Sequence, residues 1–361
     1  MKLCTIVGAR PQFIKAATVS RAIASTSSIH EIIIHTGQHY DANMSEQFFN
    51  ELNIPSPGYH LSIGSGSHGK QTGEMLIAIE EVLLKEKPDW VLVYGDTNST
   101  LAGALAAAKL KIPVAHIEAG LRSFNRNMPE EVNRITTDHL STLLFVPTEN
   151  GYKQLLKEGI SQDKIAIVGD VMYDATLYYN EFNLDRETIV DSLNLDPKSY
   201  CLATIHRAEN TDNLNRLRNI CDALIELSHT KCIVLPLHPR TRSQLKKYHL
   251  LDNLLEYILI IEPVGYLDML ALEKNANIVI TDSGGVQKEA YFNRVACITL
   301  RNETEWVELV DNGWNRLCPP DKPFSLLGYE LHNTPNQAAS SMDQLYGNGE
   351  AAKKIVEMIC Q

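Results

Sequence analysis

Residues 277–290 read NIVITDSGGVQKEA, and their order decides the fold. The apolar run NIVIT has the length and β-branched content of a buried strand. Asp282-Ser283-Gly284-Gly285 then makes a tight turn, and Val286 onward opens a helix. A strand that passes through a glycine-rich turn into a helix is half of a βαβ unit, the building block of parallel sheets covered by helices. The free N–H groups at the start of such a helix can hold a phosphate or diphosphate. Glu289, about one turn further on, can accept hydrogen bonds from ribose hydroxyls. A glycine-rich turn without a ligand is the alternative for this segment taken alone.

The same alternation of short apolar runs and amphipathic stretches extends along the whole chain. In the first half, strands are expected at Lys2–Val7, Glu31–His35, Trp90–Tyr94, Pro113–Ile117, Leu143–Val146 and Lys164–Val168. Helices are expected at Ile14–Ala24, Gly73–Lys85 and Ser99–Leu110. A second set starts at YCLATIH (200–206) and continues with KCIVLPLHP (231–239), YILIIEP (257–263), the 277–290 stretch and VACITLR (295–301). The more polar segment Tyr173–Lys198 separates the two sets and reads as helical crossover and hinge. Two doubly wound, Rossmann-like α/β domains follow, facing a central cleft. The first covers 1–170 and is rejoined by the C-terminal helix within 346–361; the second covers 171–345. A length of 361 residues agrees, since one hydrophobic core rarely grows that far.

Composition excludes several functions. Hydrophobic residues make up 44% and charged residues 21%, too apolar for a disordered chain. The 33 basic against 44 acidic residues leave −11, which argues against coating nucleic acid or anionic lipid. No apolar stretch approaches the roughly 18 residues of a membrane helix, and the first residues read as a buried strand, not a signal peptide. The seven cysteines are odd in number and include no CxxC pair, so neither a disulfide framework nor a zinc site is expected. The expectation is a cytoplasmic protein with reduced core thiols.

In doubly wound sheets, ligands bind beyond the carboxyl ends of the strands, which sorts the polar residues. Gly8-Ala9-Arg10-Pro11 follows the first strand and opens a helix, placing Arg10 and Lys15 where an anion is welcome. The absence of GxGxxG disfavours a nicotinamide dinucleotide. Asp96 and Glu118 each stand at a strand's carboxyl end beside a glycine. Neighbouring strands would make them an acid/base pair. Asp96 has a second possible role as helix N-cap, and Glu131 reads as a first-turn helix charge. His206 follows one strand of the second set, and His238 follows another.

Together these residues resemble the non-hydrolysing UDP-N-acetylglucosamine 2-epimerases, which have the two-domain GT-B architecture. The resemblance rests on GARPQFIK (8–15), GDTNST (95–100), HIEAGLR (116–122), PEEVNR (129–134), IHRAEN (205–210), LHP (237–239) and SGGVQKEA (283–290), in that order and spacing. It implies carbon-2 epimerisation of a UDP-amino sugar, with UDP leaving and returning across a 2-acetamidoglucal. It places the acid/base carboxylates at Asp96, Glu118 and Glu130, and the catalytic histidine at His206. The substrate contacts fall on Arg10, Lys15, His238, Ser283, Gly284, Gly285, Glu289 and Arg301. The resemblance further implies a homodimer, with no metal and no cofactor. A GT-B glycosyltransferase and a nucleotide-sugar sensor are the competing classes. Two stretches depart from the plain pattern. Gln12 stands where G-T-R-P-E-A-I-K has Glu, and Trp306 stands where T-E-R-P-E has Arg. Both resemble the branch that acts on UDP-2,3-diacetamido-2,3-dideoxyglucuronate, a precursor of bacterial surface polysaccharide (O-antigen or capsule). Loss of an acid beside the sugar suits a substrate that carries its own carboxylate.

Overall fold

The structure, a computed structural model, describes residues 1–38, 49, 51–182, 188–327 and 345–361. The chain divides into two compact units, Met1–Leu177 with Met342–Gln361, and Tyr178–Ser341.

In the first unit the described strands are β1 (Lys2–Val7), β2 (His30–His35), β3 (Tyr59–His60), β4 (Trp90–Tyr94), β5 (Val114–Ile117), β6 (Leu143–Val146) and β7 (Ile165–Ile167). They form one parallel sheet in the order β3-β2-β1-β4-β5-β6-β7. The order reverses between β1 and β4, so the crevice where ligands of such sheets bind opens beyond their carboxyl ends. Register brings the neighbouring ends level: Tyr94 on β4 is opposite Ile117 on β5.

The second unit repeats the plan with β8 (Tyr200–Thr204), β9 (Cys232–Pro236), β10 (Leu259–Ile261), β11 (Ile278–Thr281), β12 (Ala296–Thr299) and β13 (Asn315–Leu317). Their order is β10-β9-β8-β11-β12-β13, all parallel, and the reversal falls between β8 and β11. Thr204 and Thr281 are opposite each other at that point.

Four helices of the first unit matter below: α1 (Arg10–Ala24), α2 (His68–Glu86), α3 (Asn98–Lys109) and α4 (Pro129–Leu140). Both α1 and α2 begin earlier than periodicity suggests. Pro11 sits in the first turn of α1, where its missing N–H costs nothing, and α2 opens on the polar residues His68, Gly69 and Lys70, which carry no apolar signal. Helix α5 (Val171–Phe182) runs across the point where the units divide. Residues 183–187 of the expected crossover lie outside the described residues.

The C-terminal helix returns to the first unit, as α7 (Ala351–Ile359), and packs on α1. It is fastened by Asp174, whose Oδ2 accepts from the Ala352 amide at 2.8 Å. The Asp170 amide donates to the Tyr346 carbonyl at 2.9 Å. Gly169 lies beneath that strap in a left-handed conformation (φ +95°), where a Cβ would come within 2.7 Å of the Tyr346 oxygen.

Each sheet is sandwiched by apolar side chains, with Cys4, Ile6, Met75 and Val93 central in the first unit and Leu202, Leu224, Leu235 and Ile280 in the second. Five of the seven thiols lie in these cores as expected; Cys232 and Cys360 are exposed instead. Among the described residues no helix is long and apolar enough to cross a membrane.

Candidate active site

The β1 end shows why its residues are what they are. A Cβ at Gly8 would stand 2.0 Å from Thr36 Oγ1 and 2.2 Å from Ser99 Oγ, so only glycine fits. Gln12 is buried (1% exposed). Its Oε1 accepts from the amides of Gly8 and Ala9 at 2.8 and 3.0 Å, and its Nε2 donates to Tyr94 O and Thr100 Oγ1, both at 2.9 Å. Gln12 therefore ties the Gly8 turn to the backbone at the end of β4 and to the Thr100 side chain of α3. Its amide is needed to accept at one end and donate at the other, so Gln12 is not a sensor of charge on a sugar. That corrects the reading drawn from its departure from the plain pattern.

Lys15, one turn on, is 8% exposed and points its ammonium at the Glu118 carboxylate. Glu118 itself has left-handed backbone (φ +69°), a conformation that residues with a Cβ avoid. Gly95, between them, is held at φ +62°, and a Cβ on it would come within 3.2 Å of Glu118 Oε2 and 3.4 Å of Lys15 Nζ. The ends of β1, β4 and β5 thus meet at one point, with Lys15 and Glu118 in contact.

Asp96 is not the helix cap. Thr97 takes that position and accepts from the Thr100 amide at 3.2 Å. Asp96 instead pairs with Arg134 of α4, at 2.8 Å from Nη2 and 2.9 Å from Nε. The remaining nitrogen of the fork, Nη1, donates to Glu131 at 2.7 Å. The two glutamates of Pro-Glu-Glu have separate fates. Glu131 is buried and accepts from the amides of Ser123 and Phe124 at 2.9 Å each, clamping the loop after Glu118. Glu130, the sequence candidate, is partly exposed in the first turn of α4.

In the second unit His206 follows β8, and its side chain is 45% exposed. Beneath it lies Asp282, fully buried. Asp282 accepts from the backbone amides of His206 and Arg207 at 3.1 and 3.0 Å and from Asn210 Nδ2 at 3.1 Å. His206 Nδ1 stands 3.4 Å from Asp282 Oδ1. Asp282 lies inside the stretch that decided the fold, yet its role is invisible without the β8–β11 pairing.

His238 caps the helix Pro239–Lys247. Its Nδ1 accepts from the Arg240 amide at 3.2 Å, so the ring proton of the neutral form resides on Nε2. Ser283 caps α6 (Gly284–Phe292), accepting from the Val286 amide at 3.4 Å. Gly284 leaves room for the Glu305 carboxylate, since a Cβ there would meet Glu305 Oε1 at 2.5 Å and the glutamate would have to move. Glu289 is buried on the same helix, and its Oε2 is 3.8 Å from where a Gly285 Cβ would stand.

Arg301 is buried, 2% exposed, and donates to Glu305 at 2.9 Å, fixing the side chain that lies against Gly284. Trp306 is buried beneath Lys288, whose ammonium is 4.1 Å from the ring centre. The cations of this corner are therefore paired around the glycine turn.

Beyond β1, β4 and β5 stand two carboxylates, each against its own cation. Beyond β8 and β11 stand an exposed imidazole over a buried carboxylate and a glycine-opened helix start. The first set suits proton transfer at carbon, and the second suits a nucleotide diphosphate.

Comparison with known proteins gives the family. The family profile described as UDP-N-acetylglucosamine 2-epimerase matches residues 21–360. A UDP-N-acetylglucosamine 2-epimerase homolog of Methanococcus maripaludis is 56% identical over 99% of both chains. The UDP-2,3-diacetamido-2,3-dideoxy-D-glucuronate 2-epimerase of Pseudomonas aeruginosa is 50% identical over the whole of both. The crystal structure of Methanocaldococcus jannaschii UDP-GlcNAc 2-epimerase in complex with UDP-GlcNAc and UDP superimposes with a TM-score of 0.92 at 50% identity, covering 100% of this chain and 99% of that one. The chain, an α/β protein of GT-B-like fold, belongs to the UDP-N-acetylglucosamine 2-epimerase family of non-hydrolysing isomerases.

Proposed function

We propose that the protein inverts carbon 2 of a UDP-2-acetamido sugar. A carboxylate removes the proton from C2 while the C1–O bond to UDP breaks on the opposite face. A C1=C2 double bond forms, giving the 2-acetamidoglucal. Return of a proton to the other face of C2 and of UDP to C1 yields the manno epimer, so atoms balance without a redox partner.

The observation that carries this reading is the juxtaposition of Glu118 with Lys15 and of Asp96 with Arg134 at adjoining strand ends. Each carboxylate stands against a cation, and a carboxylate is a base suited to taking a proton from carbon. Glu130 and His206 complete the acid/base set. Ser283, Gly284, Gly285, Glu289, His238 and Arg10 are assigned to the nucleotide, with Lys15 and Arg301 supporting the substrate. A C2 proton is barely acidic, so stabilising the departing diphosphate by helix N–H groups and cations is what makes the elimination accessible.

For the sugar we favour the 2,3-diacetamido uronate, on the route to a bacterial surface polysaccharide. Support comes from the 50% identity to the P. aeruginosa enzyme and from Trp306, where the plain pattern has arginine. UDP-N-acetylglucosamine is the second reading, favoured by the equal identity to the M. jannaschii protein. Proton NMR in D₂O with each sugar nucleotide separately is the test. Deuterium at C2 with a manno product establishes the reaction, and the sugar that turns over identifies the substrate. Binding of UDP without exchange into either sugar would overturn the epimerase reading in favour of a transferase or sensor.

A further inference from the structure

His116 lies on β5 two residues before Glu118, and it is completely buried. Its Nε2 is 2.8 Å from the carbonyl oxygen of Gly95, and its Nδ1 is 2.7 Å from Asp138 Oδ1. A carbonyl oxygen only accepts. Asp138 also only accepts, for its other oxygen already receives the Arg122 guanidinium at 2.7 Å and the Gly120 amide at 3.1 Å. Burial pushes the Asp138 carboxyl up, but hydrogen bonding and charge from His116 and Arg122 outweigh it and hold the group below its ordinary value. With acceptors on both sides, only the doubly protonated ring lets both nitrogens of His116 donate.

The two ends of this chain of bonds are the backbone turns that carry the acids. Gly95 precedes Asp96, and Gly120 follows Glu118 by two residues. Both turns are left-handed, with φ of +62° at Gly95, +69° at Glu118 and +81° at Gly120. For Glu118 that backbone costs about 1 kcal/mol and persists only if its surroundings over-determine it. The Glu118 and Ala119 amides share the Phe145 carbonyl at 3.1 Å each, and the Gly120 amide is held by Asp138.

We propose that His116 and Asp138 are positioning residues for the epimerisation: their buried ion pair ties the Asp96 turn to the Glu118 turn and lays a fixed positive charge behind both carboxylates. This rests on the assignment of Asp96 and Glu118 as acid/base groups. Neither His116 nor Asp138 touches substrate. The device sets the spacing of groups that do, where a displacement near 1 Å can lower the rate about a hundredfold.

The test compares Asp138→Asn, His116→Gln and Glu118→Gln with the wild type in kcat, KM and UDP affinity. A second arm records ring ¹⁵N NMR of the wild type. Asp138→Asn is nearly isosteric, and an asparagine oxygen can still receive Arg122 and Gly120 while its amide no longer accepts from an imidazolium. We expect kcat to fall about tenfold to a hundredfold in Asp138→Asn and His116→Gln, with KM and UDP affinity within about threefold of wild type. In the wild type both His116 nitrogens should carry protons. Full kcat in both variants, or equal losses in kcat and UDP affinity, overturns the positioning role. So does a neutral His116 ring in the wild-type spectrum, which needs no variant to fold. Loss of turnover in Glu118→Gln alongside full activity of the other two sinks this inference alone, whereas full turnover in Glu118→Gln sinks the acid/base assignment beneath it.

Discussion

Arg134 grips one oxygen of Asp96 with two nitrogens, at 2.8 and 2.9 Å, from a guanidinium whose side chain is only 4% exposed. The same fork reaches Glu131, so a single residue of α4 sets both a candidate catalytic carboxylate and the loop that follows Glu118. Lysine cannot reproduce a planar fork serving two carboxylates. Arg134→Lys should therefore lower kcat about tenfold or more while leaving UDP affinity within about threefold, because the residues we assign to the nucleotide, all but Arg10, belong to the other unit. Steady-state kinetics beside UDP calorimetry decides it; undiminished kcat would mean that Asp96 needs no such support.

Gln12 yields a prediction about substrate choice. Replacing its amide by a carboxylate sets an acceptor 2.9 Å from the Tyr94 carbonyl in place of a donor. Gln12→Glu should cost about 1–3 kcal/mol of stability and leave the preference between the two candidate sugars unchanged. Thermal melting and a competition assay read the two halves separately. A switch in preference would restore Gln12 as a determinant of the sugar.

The comparison of residues 8–15 with the rest of the chain shows where sequence reasoning stops. The longer strands, their parallel sense and the polar residues at their ends were legible because apolar runs, glycine turns and the strand-end rule are local signals. Gln12 was misread because its partners Tyr94 and Thr100 lie 82 and 88 residues away. His116, Asp138, Arg134 and Asp282 were missed for a related reason. A charged residue in a helix or beside a strand reads as solvated surface until its burial is known. The two-residue β3 and three-residue β13 were too short to show any period.

Asp174 makes stability depend on pH in a stated direction. Burial pushes its carboxyl up to about 6, against the opposing hydrogen bonds from the Ala352 and Ala351 amides. An acid whose folded value exceeds its unfolded one favours the fold while protonated. Its contribution is fully present below about pH 4 and is lost as pH rises to about 6, for a change of at most about 3 kcal/mol. Asparagine keeps an oxygen for the Ala352 amide without a charge to bury. Asp174→Asn should thus exceed the wild type in stability at pH 7.5, by an amount that shrinks to nothing near pH 4. Chemical denaturation across that range checks it, and a wild type more stable than the variant at pH 7.5 would refute the cause assigned.

The separate roles proposed for residues of the second unit are open to a paired experiment. Asp282 holds the His206 turn through two backbone amides and faces the ring at 3.4 Å, whereas Glu289 lies on α6 beside the glycine turn assigned to UDP. Asp282→Asn preserves the shape but weakens the electrostatic hold on His206, so kcat should fall about tenfold to a hundredfold, with UDP affinity nearly kept. Glu289→Ala should do the reverse, weakening UDP by about 1–3 kcal/mol, the scale of a hydrogen bond to a charged group. Calorimetry with UDP and turnover of the preferred sugar, measured on both variants, separate the roles. If Glu289→Ala binds UDP as tightly as the wild type, Glu289 does not hold the ribose. If Asp282→Asn turns over at the full rate, His206 either needs no orientation from below or takes no part in the proton transfers.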